Sequence, residues 1–102
     1  MTPRLLLELE AEREFIEARA WYAERNPVIS DVFRASVSTV LTSIEQTPQR
    51  FPLALGDIRK ARVARFPYVI YYVVLPDVIA VIAIIHGRRD PQRWQGRAPT
   101  TR

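Results

Sequence analysis

The first half of the chain contains two stretches whose hydrophobic residues have helical spacing. In the first stretch, which begins at Glu10, these residues recur every three or four positions: Ala11, Phe15, Ala18 and Tyr22. This spacing places them on one face of an α-helix. The charged residues of the stretch, among them Glu14, fall mostly on its other sides. We therefore expect the carboxylates of this helix to face solvent.

The second helical stretch lies between two breaks that contain proline. Asn26-Pro27 favours a helix start, because Asn caps free backbone N–H groups and proline suits the first helical turn. The hydrophobic stripe that follows consists of Ile29, Phe33, Val37, Val40, Leu41 and Ile44. Thr47-Pro48 ends the helix, because the residue before a proline is pushed out of helical geometry. Two helices with so short a link should run antiparallel as a helical hairpin.

Strand patterns lie at the start of the chain and in its second half. Leu5–Leu9 is short and apolar and predicts an opening strand, whereas residues 48–56 have the composition of a loop. Three later segments predict strands, since they are bounded by turn residues and the last two are rich in β-branched and apolar residues: Ile58–Phe66, Tyr68–Val74 and Val78–His86. The last segment is apolar on both faces, which predicts a central strand covered on two sides, or covered on one side and paired with a partner on the other.

This order of elements predicts an α+β fold. We expect an N-terminal strand, the helical hairpin and then a three-stranded antiparallel meander (β-α-α-β-β-β), with the helices packed on one face of the sheet. The 102 residues are enough for one domain, which we place at residues 1–94. Residues 95–102 form a polar C-terminal tail, and we expect the whole stretch 92–102 to be loosely held.

Composition excludes several classes of function. The chain has no cysteine and a single histidine, His86, so a disulfide, a thiolate nucleophile and a histidine-rich metal site are excluded. With three glycines it has no glycine-rich phosphate loop, and we expect no cofactor and no metal. No apolar run reaches the ~20 residues that a membrane span needs, and acidic Glu8 comes too early for a signal peptide. We therefore expect a cytoplasmic protein that does not contact membranes.

Charge divides the chain into two unequal halves. Residues 1–46 carry five arginines against eight acidic residues, a net charge of −3. Residues 47–102 carry nine arginines and one lysine against three aspartates, a net charge of +7. Because arginine binds phosphates and carboxylates through a planar fork of donors, the basic half favours an anionic partner, either nucleic acid or an acidic protein segment.

The candidate site is a cluster of cations at the strand ends. Lys60 and Arg62 are two residues apart on one strand and share a face, Arg65 precedes the next strand, and Arg88 and Arg89 follow the last strand. We expect them to converge on one edge of the sheet, where they could bind phosphates or an acidic peptide.

Three further residues beside these cations have open roles. His86, at the end of a strand, is either a general acid or base or a hydrogen-bonded structural residue. Tyr68 and Trp94 are added as candidate binding residues beside the cations, with Trp94 free to pack back over the sheet.

Several segments together resemble a known family. They are Ala11 to Phe15, Trp21 to Pro27 with Phe33, Arg65 to Tyr72, and His86 to Pro91 with Trp94. Over about residues 5–94 the chain resembles the RelE/ParE toxin superfamily of type II toxin–antitoxin systems, whose members are often called plasmid stabilization proteins. The resemblance implies the same order of strands and helices. It also implies a bacterial, cytoplasmic toxin that a cognate antitoxin neutralises with an acidic, partly disordered segment, forming a toxin–antitoxin hetero-oligomer.

The two branches of the superfamily imply different activities. RelE-like members cut messenger RNA on the ribosome, and the resemblance would then make Lys60, Arg62 and Arg89 catalytic. An arginine of that branch is replaced here by Val69, and its late tyrosine falls near Gln95, so His86 is the remaining candidate for a general base. ParE-like members inhibit growth by binding DNA gyrase without hydrolysis. We expect a ParE-like, non-enzymatic toxin; the alternatives are a RelE-like endoribonuclease and an inactive binding module of the same fold.

Overall fold

The computed structural model describes residues 3–97. The elements in chain order are β1 (Arg4–Leu7), α1 (Leu9–Arg25), α2 (Pro27–Gln46), β2 (Leu53–Leu55), β3 (Ile58–Arg62), β4 (Tyr68–Val74) and β5 (Val78–His86). These elements confirm the predicted α+β class and the helical hairpin between the first strand and the later strands. The predicted C-terminal tail is residues 95–102, and its last five residues, 98–102, lie outside the described residues.

Asn26 ends one helix and starts the next. Its backbone N–H donates to the carbonyl of Tyr22 at 2.8 Å, which closes the last turn of α1. Its side-chain oxygen accepts a hydrogen bond from the backbone N–H of Val28 at 3.0 Å, which caps α2. The predicted helical hairpin is confirmed, and α1 begins at Leu9, one residue earlier than expected.

The predicted three-stranded meander is wrong, because the sheet has five strands in the order β1-β5-β4-β3-β2. Strands β3, β4 and β5 pair antiparallel as expected, but β1 joins the sheet parallel to β5, with Arg4 opposite Val78. Strand β2 comes from the segment interpreted as loop and pairs antiparallel with β3. The predicted N-terminal strand is therefore present, as Arg4–Leu7, but it belongs to the sheet, and β2, with three residues, carries too few positions for an alternating pattern.

Strand β3 is shorter than the predicted segment Ile58–Phe66. It ends at Arg62, and the chain then turns, with the N–H of Val63 donating to the carbonyl of Tyr68 at 3.0 Å. Arg65 in this turn has φ of 73°, a left-handed conformation that breaks an extended strand. The turn leaves the Arg65 side chain exposed at the end of the sheet.

A bulge in β5 decides which residues face the helices. In β4, Ile70 and Tyr72 pack into the core beneath the helices, whereas Tyr71 packs on the opposite face. The pairing of β4 with β5 shifts between Tyr71 and Tyr72, so that Ile82 is an extra residue of β5. Val81 and Ile84 therefore both face the helices although they are three positions apart. The strand is buried on both faces, as predicted for Val78–His86.

Glu14 corrects the expectation that the α1 carboxylates face solvent. Its side chain is buried, and its Oε1 accepts the backbone N–H of Ile84 at 3.1 Å. Arg97 donates to both carboxylate oxygens of Glu14, at 3.0 and 2.7 Å, and to the carbonyl of Ile82 at 2.8 Å. This hydrogen bonding to Glu14 raises the pKa of Arg97 above its ordinary value. Because β1 pairs with β5 only as far as Val81, the two side chains bond to the exposed edge of β5 beyond that point.

The same contacts correct the expectation that residues 92–102 are loosely held. In the described part of that stretch, Trp94 is buried and Arg97 is fixed to Glu14 and β5. The ring of Trp94 stacks on Tyr71 with a centroid distance of 4.2 Å and an interplanar angle of 14°. The segment after β5 thus covers part of the sheet face that the helices leave open.

The contact of Glu14 with Arg97 predicts a large effect on stability. Arg97→Ala should lower the free energy of unfolding by about 3 kcal/mol, because it removes the closer charged partner of a buried carboxylate and leaves only Arg93, at 3.7 Å. The matched control is Arg13→Ala, whose pair with Glu10 spans 3.6 Å between two largely exposed side chains. The control should change stability by less than about 1 kcal/mol. Urea unfolding measures both, and similar losses in the two variants would contradict the structural role of Arg97.

Candidate functional site

Four cations line a groove on the face of the sheet opposite the helices. Lys60 and Arg62 come from β3, Arg65 comes from the turn before β4, and Arg88 follows β5. We call this concavity, of about 1090 Å³, the basic groove. Tyr71 lies in its floor beside Val69 and Pro67.

Strand register brings the cations of the basic groove together. On β4, Tyr71 lies opposite Lys60 of β3 and Val69 lies opposite Arg62 of β3. On the other side of β4, Val69 lies opposite Ile85 of β5. The end of β5 therefore lies beside the start of β4, and Arg88 comes two residues after β5 ends.

Gly87 allows the turn after β5 to lie close to β4. Its N–H donates to the carbonyl of Pro67 at 2.8 Å. A Cβ at this position would lie 3.3 Å from Cγ2 of Val69. Any side chain larger than that of glycine would therefore press on the wall of the basic groove.

The four cations of the groove have no internal partners. Within residues 3–97, no carboxylate lies within 4.0 Å of their charged groups, and all four residues are exposed. By contrast, five arginines elsewhere form ion pairs with acidic residues: Arg13, Arg19, Arg25, Arg93 and Arg97. Four unpaired positive charges on one concave surface create a positive potential that attracts an anionic ligand.

Arg89 does not join the basic groove, although we expected it there. The structure brings Arg62, Arg65 and Arg88 together and places Arg89 on the helix side of the sheet. There it lines a pocket of about 220 Å³ between α1 and the end of β5, which we call the α1 pocket. Tyr68 borders both the pocket and the groove. Nη2 of Arg89 lies 3.4 Å from the hydroxyl of Tyr68 and donates to it.

His86 also lies in the α1 pocket, and its contacts are those of a structural residue. Nδ1 accepts the backbone N–H groups of Arg88 and Arg89, both at 3.1 Å, and so holds the turn after β5. Burial and the nearby charge of Arg89 lower the pKa of His86 below its ordinary value. Two donors at Nδ1 require the neutral imidazole with its proton on Nε2.

Tyr68 and Trp94 are both largely buried. Burial raises the pKa of Tyr68, while the charge of Arg89 partly opposes this effect. Nε1 of Trp94 donates to the carbonyl of Pro91 at 3.0 Å, and its ring stacks on Tyr71 beneath the basic groove. Trp94, in the segment that follows β5, therefore packs against Tyr71 in the floor of the groove.

The sequence reasoning missed Tyr71, Glu17 and Trp21 as lining residues. Tyr71 alternates with core residues Ile70 and Tyr72, so its position on the opposite face could have been inferred from strand period alone. Glu17 and Trp21 line the α1 pocket, which depends on how α1 crosses β5 and has no local sequence signal.

The part of the chain that the structure describes contains no group of three or more histidine, cysteine or acidic residues able to hold a metal ion. Within the same residues, no helix has the length and apolarity needed to span a membrane.

Comparisons with known proteins agree with the fold. Residues 5–91 match the family model described as the ParE toxin of the type II toxin–antitoxin system parDE. Among solved structures, the chain is similar to one described as a chromosomal ParDE TA system from P. aeruginosa, with a TM-score of 0.74 and 13% sequence identity. That match covers 83% of this chain and 96% of the other. A comparison with curated proteins gave no match.

The contacts of His86 predict a pH dependence of stability. Because the folded state lowers the pKa of His86, the unfolded chain, with an imidazole pKa of about 6.5, takes up its proton first as the pH falls. This contribution to stability is complete above about pH 6.5 and is lost as the pH falls from there through the folded-state pKa. His86→Asn keeps a side-chain acceptor for the turn but removes the titration. The stability of the wild type should therefore fall relative to the variant between about pH 7.5 and pH 5.

Two measurements check this dependence. Chemical unfolding at a series of pH values gives the two stability curves, and NMR of the single imidazole gives its pKa directly. Parallel curves for the two proteins, or a folded-state pKa at or above about 6.5, would show that the turn does not favour neutral His86.

Proposed function

The chain belongs to the ParE toxin family of type II toxin–antitoxin systems, and from this membership we propose that it inhibits bacterial growth by binding an essential cytoplasmic target, DNA gyrase. We further propose that a cognate antitoxin neutralises it in a toxin–antitoxin hetero-oligomer and that the pair acts in plasmid stabilization.

The observation that carries the proposal is the set of unpaired cations in the basic groove. Lys60, Arg62, Arg65 and Arg88 have no acidic partner within residues 3–97, and placing four like charges together opposes folding. Such an arrangement is typical of a surface that meets a negatively charged partner. Its effect should be strongest on the association rate and should weaken with salt.

An acidic antitoxin segment suits the basic groove in charge and in shape. The groove combines exposed cations with an apolar floor that includes Val69 and Tyr71. An extended acidic segment that orders on binding can place carboxylates on the cations while its apolar residues cover the floor. Neutralisation would then follow from occupation of the surface that the target requires.

The lining of the groove supports binding more than nuclease chemistry. Among the described lining residues there is no carboxylate and no imidazole, since His86 lies on the other side of the sheet. Cleavage of RNA through its 2′-hydroxyl needs a general base. Two phenols line the groove, those of Tyr68 and Tyr71, and burial raises the pKa of both, which disfavours the phenolate that would act as a base at neutral pH. The RelE-like alternative keeps one supporting feature, because Lys60, Arg62 and Arg88 could stabilise phosphate charge.

The first functional prediction concerns gyrase. The purified chain should inhibit DNA supercoiling by gyrase and cause double-strand breaks, measured on plasmid gels. The double variant Arg62→Gln/Arg88→Gln should raise the concentration for half-inhibition by at least about tenfold, because it removes two charge-assisted contacts. The matched control, Arg34→Gln/Arg50→Gln, removes the same charge from exposed residues outside the groove and should inhibit like the wild type.

Each contrary outcome has a separate meaning. Full inhibition by the groove variant would exclude the basic groove as the target-binding surface. No inhibition by the wild type, together with cleavage of ribosome-bound transcripts, would favour the endoribonuclease.

The second functional prediction concerns the antitoxin. Expression of the chain alone should arrest growth, and co-expression with the product of the adjacent reading frame should restore it. The complex should weaken steeply with ionic strength, since exposed charges are screened within about 8–10 Å at physiological salt. Normal growth on expression alone would favour the inactive binding module. A complex that is insensitive to salt would show that the cations of the groove do not hold the antitoxin.

A further inference from the structure

The α1 pocket holds hydrogen-bond donors that the fold does not use. Arg89 donates to the Tyr68 hydroxyl at a long 3.4 Å, and no carboxylate within residues 3–97 lies within 4.0 Å of its guanidinium. Since the Tyr68 oxygen accepts this bond, its own O–H remains available. Nε2–H of His86 has no acceptor among the same residues. No side-chain nitrogen or oxygen among the described residues is both buried and without a partner, so Nε2 of His86 is accessible. His86, Arg89 and Tyr68 all line the same pocket.

The contacts that fix these donors are independent of any ligand. Backbone N–H groups of residues 88 and 89 hold the His86 ring through Nδ1, which directs the remaining proton to Nε2. The rings of Tyr68 and His86 meet edge to face, with centroids 5.6 Å apart. A preorganised trio of donors of this kind needs little reorganisation when an anion enters.

The other walls of the pocket limit what the ligand can be. Three carboxylates line it: Glu14 pairs with Arg97, Asp90 pairs with Arg93 at 3.7 Å, and Glu17 has no ion pair among the described residues. A dianion would meet more repulsion from these carboxylates than a single negative charge on Arg89. Ala18 and Trp21, a residue that is 42% exposed, form an apolar wall, and the guanidinium of Arg25 lies over the Trp21 ring, 3.6 Å from its centroid. The volume of about 220 Å³ is that of a side-chain-sized group.

We propose that the α1 pocket binds a carboxylate on an apolar stem, with the carboxylate on Arg89, Tyr68 and His86 and the stem against Trp21. The carboxylate comes either from a small free acid or from a glutamate side chain of a polypeptide. The planar guanidinium fork suits a carboxylate, and the phenol and imidazole add one neutral donor each. The site lies on the opposite side of the sheet from the basic groove, and the inference does not depend on the proposed toxin activity.

The single histidine provides the test. NMR of the full-length chain at constant ionic strength, at about pH 7.5 where an imidazole is neutral, follows the His86 ring signals during titration. The probes are benzoate, N-acetylglutamate N-methylamide and inorganic phosphate. Benzoate or the glutamate derivative should shift the signals saturably, and phosphate should shift them less. The tighter of the two carboxylates assigns the source, a free acid or a polypeptide side chain.

Two neighbouring arginines give a matched comparison. Arg89→Gln should weaken carboxylate binding by at least about tenfold, whereas Arg88→Gln, which removes the same charge from the groove side, should leave it unchanged. Both variants keep the backbone amides that hold His86. Tyr68→Phe, which keeps the packed ring, should weaken binding to a smaller extent. The proposal is overturned if neither carboxylate gives a saturable shift, if Arg89→Gln binds like the wild type, or if phosphate binds at least as tightly.

Discussion

The pairing of β5 with its neighbours is the constraint on which the rest of this structure depends. One extra residue, Ile82, reverses the alternation of side chains along β5, so that Ile84 and then His86 face the helices. Beyond Val81 the outer edge of β5 has no strand beside it, and Glu14 and Arg97 supply its hydrogen bonds instead. A buried carboxylate is costly unless its charge and lone pairs are matched, and here both are. The bulge and this contact together fix the end of β5, from which both candidate sites are built.

The distribution of charge separates arginines that form internal ion pairs from cations that form none within residues 3–97. Five arginines pair with acidic residues, namely Arg13, Arg19, Arg25, Arg93 and Arg97, whereas the cations of the basic groove do not. The two consecutive residues Arg88 and Arg89 diverge to opposite sides of the sheet, because they follow a turn held by His86. One short turn thus supplies a cation to the groove and another to the α1 pocket. Local rules of stability do not require either charge, which points to binding.

Much of the fold could be predicted because its signals are local. Asn26-Pro27 marks the junction of the two helices, and the β4 and β5 segments stand out as apolar runs between turn residues. The common face of Lys60 and Arg62 follows from the two-residue period of a strand. The N-terminal strand was predicted, but its parallel pairing with β5 and the existence of β2 could not be, because each depends on pairing with a distant or irregular partner rather than on a local pattern. Glu14 was predicted to face solvent because its partner, Arg97, is 83 positions away in the sequence and leaves no local signal.

The sequence by itself determined the class of fold, the helical hairpin, the excess of positive charge in the second half and the resemblance to RelE/ParE toxins, because composition, periodicity and turn residues act over a few neighbouring positions. Only the tertiary structure decided which cations share a surface. Nothing in the local sequence distinguishes Arg88 from its neighbour Arg89. Strand register and the turn after β5 nevertheless place Arg88 beside Lys60, Arg62 and Arg65, and place Arg89 beside α1. Such a division depends on long-range pairing and on a one-residue bulge, and a shift of one residue exchanges the two faces of a strand.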